Sequence, residues 1–348
     1  MTKQGYDLIG DIHGHADALR RLLTKLGYSE VDGAFRHDSR KVIFVGDFVD
    51  RGPDQREVLR VARRMCEAGT ASAVLGNHEF NAIAWATPND DGGFLRKHSE
   101  KNASQHAAFL IQFVEGSPDY QDAIDWFRRL PVWLDLPGLR VVHACWHEPS
   151  RAVLAPYLDS ENRFTAEGLW EALQRGSQAY VAAEILLKGP EQRLPPGMSF
   201  VDKSGHERHE VRLRWWDPDA TTFKRAAVGI DDRLEELPDD EITTEFQYLD
   251  KTPVFFGHYW MPGEPMITHS TATCLDFSVA RNGFLTAYRW TGEPELSPDH
   301  LVYVPAEMID TSLIASYGYS LWKLSRKSKF LFISGRYRFV HQSRNLSA

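Results

Sequence analysis

Five short apolar runs, each bounded by glycine or a polar residue, constrain the fold of this chain more than any other feature of its sequence. Runs of this length between turn signals are typical of buried strands. Between the early runs, Ala16–Leu26 and Asp54–Ala68 carry apolar residues at helical spacing. The strand–helix alternation over residues 6–80 therefore predicts a layered α/β domain. The five runs are Tyr6–Gly10, Lys41–Gly46, Ala71–Gly76, Leu139–Ala144 and Pro253–Gly257.

Composition excludes several classes of protein. With 43% hydrophobic and 12% aromatic residues among 348, the chain can bury a substantial core, so a disordered or fibrous protein is excluded. A net charge of -8 does not indicate a general polyanion-binding protein. Three cysteines without a CxxC pair indicate neither a disulfide framework nor a zinc ribbon. The sequence shows no secretory signal pattern and no run of about 18 apolar residues, so we predict a soluble, cytoplasmic protein.

Changes of pattern along the chain predict three regions. Residues 1–149 and 251–310 would form the core, and residues 150–250 an insertion or cap that departs from the strand rhythm. Residues 311–348 contain seven Lys or Arg, no Asp or Glu, and interleaved aromatics. That mixture is compatible with binding to an anionic surface, nucleic acid or a membrane, and equally with a packed or poorly ordered terminal segment. Three later runs are expected to be antiparallel strands of a second sheet: Thr273–Phe277, Phe284–Trp290 and Leu301–Val304.

The first polar cluster that could carry chemistry follows the first apolar run. Asp11 and His13 are two positions apart in Gly-Asp-Ile-His-Gly, so both side chains can point the same way at the end of a strand. Together they can bind one cation. An oxygen ligand with an imidazole suits Mn²⁺, Fe or Zn²⁺ better than Mg²⁺ or Ca²⁺.

The next two apolar runs also end in polar residues. Asp47 begins Asp-Phe-Val-Asp-Arg-Gly, and its two carboxylate oxygens can bridge two metals. Arg51 in the same motif is a planar donor fork suited to phosphate. In Gly-Asn-His-Glu, Asn77 offers an amide oxygen and His78 a titratable group beside it.

Two further histidines, His143 and His258, stand where the last two runs stop. A single histidine at a strand end is usually structural. Five clusters at the carboxyl ends of predicted strands instead indicate a ligand site, because open α/β sheets bind their ligands at those ends. We therefore expect the clusters to converge on one crevice.

The order GDIHG, GDFVDRG, GNHE, a strand-ending HA and a later GH resembles the calcineurin-like metallophosphoesterases. The resemblance is closest to their phosphoprotein phosphatase branch, which includes symmetrical diadenosine tetraphosphate hydrolases and bacterial polynucleotide-end phosphatases. It is strong over residues 6–80 and continues in pieces to about residue 290. Many relatives outside this branch end in GHxH, whereas Trp260 replaces the second histidine here. The implied fold is a two-sheet αββα sandwich with an inserted cap.

The resemblance also implies a dinuclear metal site and a mechanism. Two divalent ions, Mn most of all with Fe, Zn, Ni or Co as alternatives, would turn a bridging water into a hydroxide that attacks phosphorus. Arg51 would neutralise the phosphate oxygens, and His78, oriented by Asp50, would protonate the leaving oxygen. One metal would be held by Asp11, His13 and Asp47, and the other by Asp47, Asn77, His143 and His258.

Two departures from the family pattern concern the substrate pocket. Protein phosphatases of this branch have glycines after the strand-ending histidine, whereas Ala-Cys-Trp-His follows His143 here. The family also uses a second phosphate-binding arginine, for which we predict Arg225, with Arg214 as the reserve. His15 and His147 are further candidates for lining the pocket, and surface or structural roles are equally compatible with their positions.

The first functional hypothesis is hydrolysis of a phosphomonoester, carried by a small molecule or a phosphoprotein. A symmetrical dinucleoside polyphosphate hydrolase of the diadenosine tetraphosphate type is the first alternative. A nucleic-acid end-processing or binding protein that uses residues 311–348 is the second. The sequence does not distinguish the leaving group.

Overall fold

The computed structural model describes residues 4–201 and 207–306. The predicted helices are confirmed in the first part of the chain, where the helix Gln55–Glu67 begins after Asp54, whose side chain accepts a hydrogen bond from the Glu57 N–H. The strands are β1 (Gly5–Ile9), β2 (Ser29–Val31), β3 (Ala34–Arg36), β4 (Arg40–Phe44), β5 (Ala71–Ala73), β6 (Trp133–Leu136), β7 (Leu139–Val142), β8 (Glu191–Arg193), β9 (Phe200–Val201), β10 (Glu207–Arg208), β11 (Glu210–Leu213), β12 (Ala227–Val228), β13 (Val254–Phe256), β14 (Ala272–Cys274), β15 (Asp276–Phe277), β16 (Phe284–Trp290) and β17 (Leu301–Pro305). The helices are α1 (Ala16–Lys25), α2 (Gln55–Glu67), α3 (Asn77–Ala86), α4 (Glu100–Gln112), α5 (Pro118–Phe127), α6 (Glu148–Leu154), α7 (Ala166–Leu173), α8 (Gln178–Lys188) and α9 (Phe223–Ala226). Short 3₁₀ turns lie at Ala155–Tyr157, Asp231–Glu236, Val279–Arg281 and Pro298–His300.

Two sheets form the centre of the fold. The first has the order β15-β16-β1-β4-β5, with β17 beside β16, and its strands β1, β4 and β5 are parallel. The second has the order β14-β13-β7-β6, with β13 parallel to β14 and β7. Parallel neighbours bring their carboxyl ends to one edge of each sheet.

Alternation along the strands explains why both faces of each sheet are covered. In β1, Leu8 packs in a cluster that includes Ile43 of the first sheet and Val141 and Phe255 of the second. The next residue, Ile9, belongs to the cluster that contains the apolar side chains of α1 and α2. Neighbouring side chains on a strand point to opposite faces, so one face meets the other sheet and one meets helices. The αββα sandwich is thereby confirmed.

One strand assignment from the sequence is wrong. Phe284–Trp290 and Leu301–Val304 were expected in a second sheet, but β16 pairs antiparallel with β1 and β17 pairs with β16, so both extend the first sheet. Within Thr273–Phe277, β14 joins the second sheet and β15 the first. Strand patterns predict burial and not partners, because pairing depends on long-range packing.

The predicted insertion at 150–250 contains two kinds of structure. Helices α7 and α8 add apolar residues such as Leu186 to the cluster against the second sheet. Strands β8, β11 and β12 form a small separate sheet with its own apolar cluster around Val211 and Phe223. The described residues end at Ala306, so the predicted basic segment at 311–348 lies outside them.

Among the helices of the described ranges, none combines the length and the apolar character that crossing a membrane requires.

Candidate active site

The predicted ligand residues all follow strands that end at one edge of the sandwich. Asp11 and His13 come after β1, Asp47 after β4, and Asn77 opens α3 after β5. In the second sheet His143 follows β7 and His258 follows β13. The five clusters converge on one crevice, as expected: all six side chains are buried and their polar atoms lie close together.

Asp47 lies between two groups of possible metal ligands. Its Oδ2 is 3.6 Å from His13 Nε2, and its Oδ1 is 3.4 Å from His143 Nε2. Together with His78 on one side and His258 on the other, these residues form two clusters whose ligand atoms are close enough to hold a cation each. One carboxylate therefore faces both clusters.

Asn77 joins the histidines of the second cluster. Its Oδ1 accepts a hydrogen bond from His258 Nδ1 at 2.6 Å and lies 3.1 Å from His143 Nε2. The backbone N–H of His258 donates to Asp11 Oδ2 at 3.0 Å, although the two residues are far apart in the chain. These contacts bring the motifs of Asp11, Asn77, His143 and His258 together in one site.

Unpartnered atoms test whether these residues fit a metal. Asp11 Oδ1, His13 Nε2 and His258 Nε2 are buried and have no hydrogen-bond partner among the described residues. Leaving such atoms unpaired in the interior costs free energy, which a bound cation would recover. The opposite ring nitrogen of His13 donates to the Val49 carbonyl at 3.0 Å, which leaves Nε2 as a ligand atom. The residues fit a pair of divalent cations.

The electrostatics of the cluster agree with metal ligation. Burial, reinforced by the nearby His78, lowers the pKa of His13 to about 3, so its imidazole is neutral as a metal ligand must be. Burial raises the pKa of Asp11, and the neighbouring carboxylate of Asp276 raises it further. At Asp47 burial acts in the same direction, but His143 and His78 outweigh it and hold the pKa of this carboxyl well below its usual range. A cation placed among these carboxylates would relieve their repulsion.

Glu79, the last residue of the Gly-Asn-His-Glu motif, positions the loop that carries Asp47. It is fully buried and accepts hydrogen bonds from the backbone N–H groups of Asp47 and Phe48, both at 2.8 Å, and of Gly76 at 3.2 Å. The bond to Gly76 is half of a capping box at the start of α3. A Glu three residues after the N-cap position, Gly76, was the available signal.

Asp50 is held by two imidazoles. His78 Nδ1 donates to its Oδ2 at 2.6 Å, as the predicted pairing of these two residues requires, and His106 Nδ1 donates to its Oδ1 at 2.8 Å. Although burial alone would raise the pKa of Asp50, these two bonds lower it well below its usual range. For His78, burial opposes the charge, but Asp47 and Asp50 raise its pKa above the usual value. His106 was not identified from the sequence, because a single histidine within α4 carries no motif.

The cavity above the cluster is about 160 Å³ and is lined by polar residues that include Arg51, Arg96, His106 and Arg212. Arg212 belongs to β11 of the small sheet and helps to lower the pKa of His258, after burial. The tryptophans that follow it in the chain, Trp215 and Trp216, pack on Phe256 at the end of β13, so β11 is held near the site.

The other predicted pocket residues lie elsewhere. Arg225 is exposed on α9 and does not line this cavity, and Arg214 is also absent from its lining. His147 is buried, 2.8 Å from the Ser150 hydroxyl and against the ring of Phe246. His15 precedes α1 and does not line the cavity. The arginine that reaches the site from the 150–250 region is thus Arg212.

The sequence model of the calcineurin-like phosphoesterases matches residues 7–185 of this chain. An asymmetrical bis(5'-nucleosyl)-tetraphosphatase from Oceanobacillus iheyensis is 30% identical over 139 residues, which are 40% of this chain and 54% of that protein. The match therefore spans about half the length of this relative. A symmetrical bis(5'-nucleosyl)-tetraphosphatase from Vibrio cholerae is 26% identical over 290 residues, covering 81% of this chain and 94% of that protein.

Among solved structures, a protein serine/threonine phosphatase from Saccharomyces cerevisiae is similar to this chain with a TM-score of 0.46 and 14% identity. The similarity covers 89% of this chain and 82% of the yeast chain.

Proposed function

Since this chain belongs to the calcineurin-like phosphoesterase family and is thus a hydrolase of phosphoric esters, we propose that its buried Asp–His–Asn cluster holds two divalent cations for that reaction. The observation that carries the proposal is the position of Asp47, whose two oxygens face separate groups of ligand atoms. The unpartnered atoms of Asp11, His13 and His258 support it, because each lies buried without a hydrogen-bond partner among the described residues.

The ligand residues would hold the cations as the sequence predicted. Asp11, His13 and Asp47 would hold one cation, and Asp47, Asn77, His143 and His258 the other; the groups of ligand atoms around His13 and Asp47 and around Asp47, His143 and His258 support this assignment. When bound, two such cations neutralise phosphate charge and lower the pKa of a water molecule. Oxygen and imidazole ligands favour Mn²⁺, with Fe, Zn, Ni or Co as alternatives.

Arginine and histidine side chains would bind the phosphate and protonate the leaving oxygen. Arg51 and Arg212 line the cavity above the cluster and can donate to the oxygens of one phosphate group. His78 would give its proton to the leaving oxygen, and its raised pKa favours the protonated ring that this role requires. Asp50 fixes the orientation of the His78 ring through Nδ1, and His106 fixes Asp50 from the other side.

The substrate that we place first is a dinucleoside polyphosphate. From the sequence alone it was the first alternative to a phosphomonoester. Two relatives named bis(5'-nucleosyl)-tetraphosphatase support ranking it above the phosphomonoester. A phosphomonoester stays as the second candidate, because a polar cavity of about 160 Å³ has room for a single phosphate group. The cytoplasmic location and a nucleic-acid role for residues 311–348 remain predictions, the latter on residues outside the described ranges.

Hydrolysis of a substrate panel tests this proposal. Metal-stripped protein is resupplied with Mn²⁺ and given p-nitrophenyl phosphate, its bis-ester and diadenosine tetraphosphate, with the nucleotide products separated by chromatography. We expect the highest kcat/KM for diadenosine tetraphosphate, with ADP as the product of symmetrical cleavage and ATP with AMP as those of asymmetrical cleavage. A higher kcat/KM for p-nitrophenyl phosphate would favour the phosphomonoester, and a folded protein that hydrolyses none of them would refute the proposal.

A further inference from the structure

Two arginines outside the metal cluster contact the same tryptophan. The guanidinium carbon of Arg51 lies 4.6 Å from the ring centroid of Trp260, and that of Arg281 lies 4.3 Å from it. Within residues 4–201 and 207–306, neither guanidinium has a carboxylate at ion-pair distance or a hydrogen-bonding partner. Two positive charges that make no salt bridge are therefore held close together and repel each other, although the carboxylates of Asp47, Asp50 and Asp276 are near enough to favour the charge of Arg51. An anion between or beside them would remove that cost.

The backbone that positions the Trp260 ring is strained. Trp260 has a φ of +53°, a left-handed conformation that is an outlier for a bulky residue. Its N–H donates to Asp276 Oδ2 at 2.7 Å, and the N–H of Ser278 donates to Asp276 Oδ1 at 3.0 Å. One buried carboxylate thus ties the loop after β13 to the 3₁₀ turn that ends at Arg281. Strained backbone that is held so firmly is concentrated at functional sites.

Trp260 and the two guanidinium groups over it lie where a second cleft opens from the catalytic cavity. This cleft is about 620 Å³, and Arg51, Arg212 and Trp260 line both spaces. Arg281 lines only the larger one, so it lies farther from the metal cluster. A group bound by Arg281 would therefore lie beyond the reacting phosphate and would not be that phosphate itself.

The other charges of the cleft are of both signs. Its lining includes Glu191, Glu207 and Glu210, and Arg212 lies 3.5 Å from Glu191. Arg51 and Arg281 face no such partner among the described side chains. The lining also includes Arg193 and Arg208, but Arg51 and Arg281 share one tryptophan, so two guanidinium groups lie side by side where the cleft adjoins the catalytic cavity.

Phosphate is the chemistry that fits this arrangement, because a guanidinium presents parallel donors that match two phosphate oxygens. We propose that Arg281 binds the phosphate group next to the one that is hydrolysed, with Trp260 holding the guanidinium in position. The preferred substrate then carries at least two consecutive phosphates. This inference rests on the proposed hydrolase function and assigns a specificity-determining residue to it.

The Arg281→Gln variant tests the inference by kinetics. Its kcat/KM for diadenosine tetraphosphate should fall roughly 10- to 100-fold, as expected for loss of a charged hydrogen bond, and mainly through KM. Turnover of p-nitrophenyl phosphate, which has no second phosphate, should not change. Arg129→Gln, an exposed arginine that lines neither space, is the matched control and should behave as wild type on both substrates. An equal loss on both substrates, or no loss on the tetraphosphate, would overturn the inference.

A binding measurement separates this inference from the proposed function. Calorimetry with metal-stripped protein compares inorganic tripolyphosphate with orthophosphate. Wild type should bind tripolyphosphate more tightly, and Arg281→Gln should lose roughly tenfold of that affinity while orthophosphate binding stays the same. If wild type shows no such preference, or if Arg281→Gln binds tripolyphosphate as tightly as wild type, Arg281 does not recognise a phosphate chain. If wild type hydrolyses no substrate but binds tripolyphosphate through Arg281, the proposed function fails and the anion site stands.

Discussion

Each carboxylate oxygen of Asp47 faces a different imidazole, His13 on one side and His143 on the other. At this scale the sequence was informative, because every predicted metal ligand follows an apolar run and the structure brings all of them together. His106, Arg212 and Arg281 could not be predicted. They reach the site from α4, from β11 and from the turn before β16, and none of them belongs to a motif. Only the folded chain brings them near Asp50 and Trp260.

Replacing His78 with alanine should remove the proton donor for the leaving oxygen. We expect kcat for phenyl phosphate to fall about 10²- to 10⁴-fold, which is the usual contribution of general acid catalysis. The loss for p-nitrophenyl phosphate should be much smaller, because p-nitrophenolate is a weak base that leaves without a proton. The measurement is kcat for the two esters, with His37→Ala as a control outside the cavity. A loss of the same size for both esters would mean that His78 does not act as the acid.

At the scale of elements, strand ends and the glycines beside them determine where the ligands lie. Gly257 ends the run that includes β13, and a Cβ there would lie 1.8 Å from Asp11 Oδ1. Only glycine allows this approach. The sequence predicted the strands and the direction of their ends, yet it placed β16 and β17 in the wrong sheet. Burial patterns identify a strand, whereas its partner is selected by packing between distant segments.

The Gly257→Ala variant tests the role of this strand end. The added methyl group should push the Asp11 carboxylate away from the metal cluster and destabilise the fold by about 1–3 kcal/mol, as overpacking usually does. Urea unfolding with and without Mn²⁺ measures both effects. Mn²⁺ should stabilise wild type and Gly93→Ala, a glycine whose Cβ would meet no atom closer than 3.4 Å, but not Gly257→Ala. Equal stabilisation of all three proteins would contradict the assignment of Asp11.

At the scale of the whole molecule, residues separated by most of the chain build one site. The two sheets supply the metal ligands, α4 supplies His106, and the small sheet within the predicted insertion supplies Arg212. The sequence predicted an α/β sandwich with an added region between its fourth and fifth strand runs. It could not show which side chain of that region reaches the site, since β11 is positioned by the packing of Trp215 and Trp216 on Phe256.

The central claim is that the buried cluster holds two divalent cations with Asp47 between them, and counting bound metal tests it most directly. Metal-stripped protein is titrated with Mn²⁺ in a calorimeter, for wild type, for Asp47→Asn and for Asp17→Asn, a surface control on α1. We predict two ions per chain for wild type and the control, and weaker binding with at most one ion for Asp47→Asn, because an amide cannot replace a carboxylate that faces both groups. A folded wild type that binds no ion, or an Asp47→Asn variant that binds two as tightly as wild type, would contradict the claim.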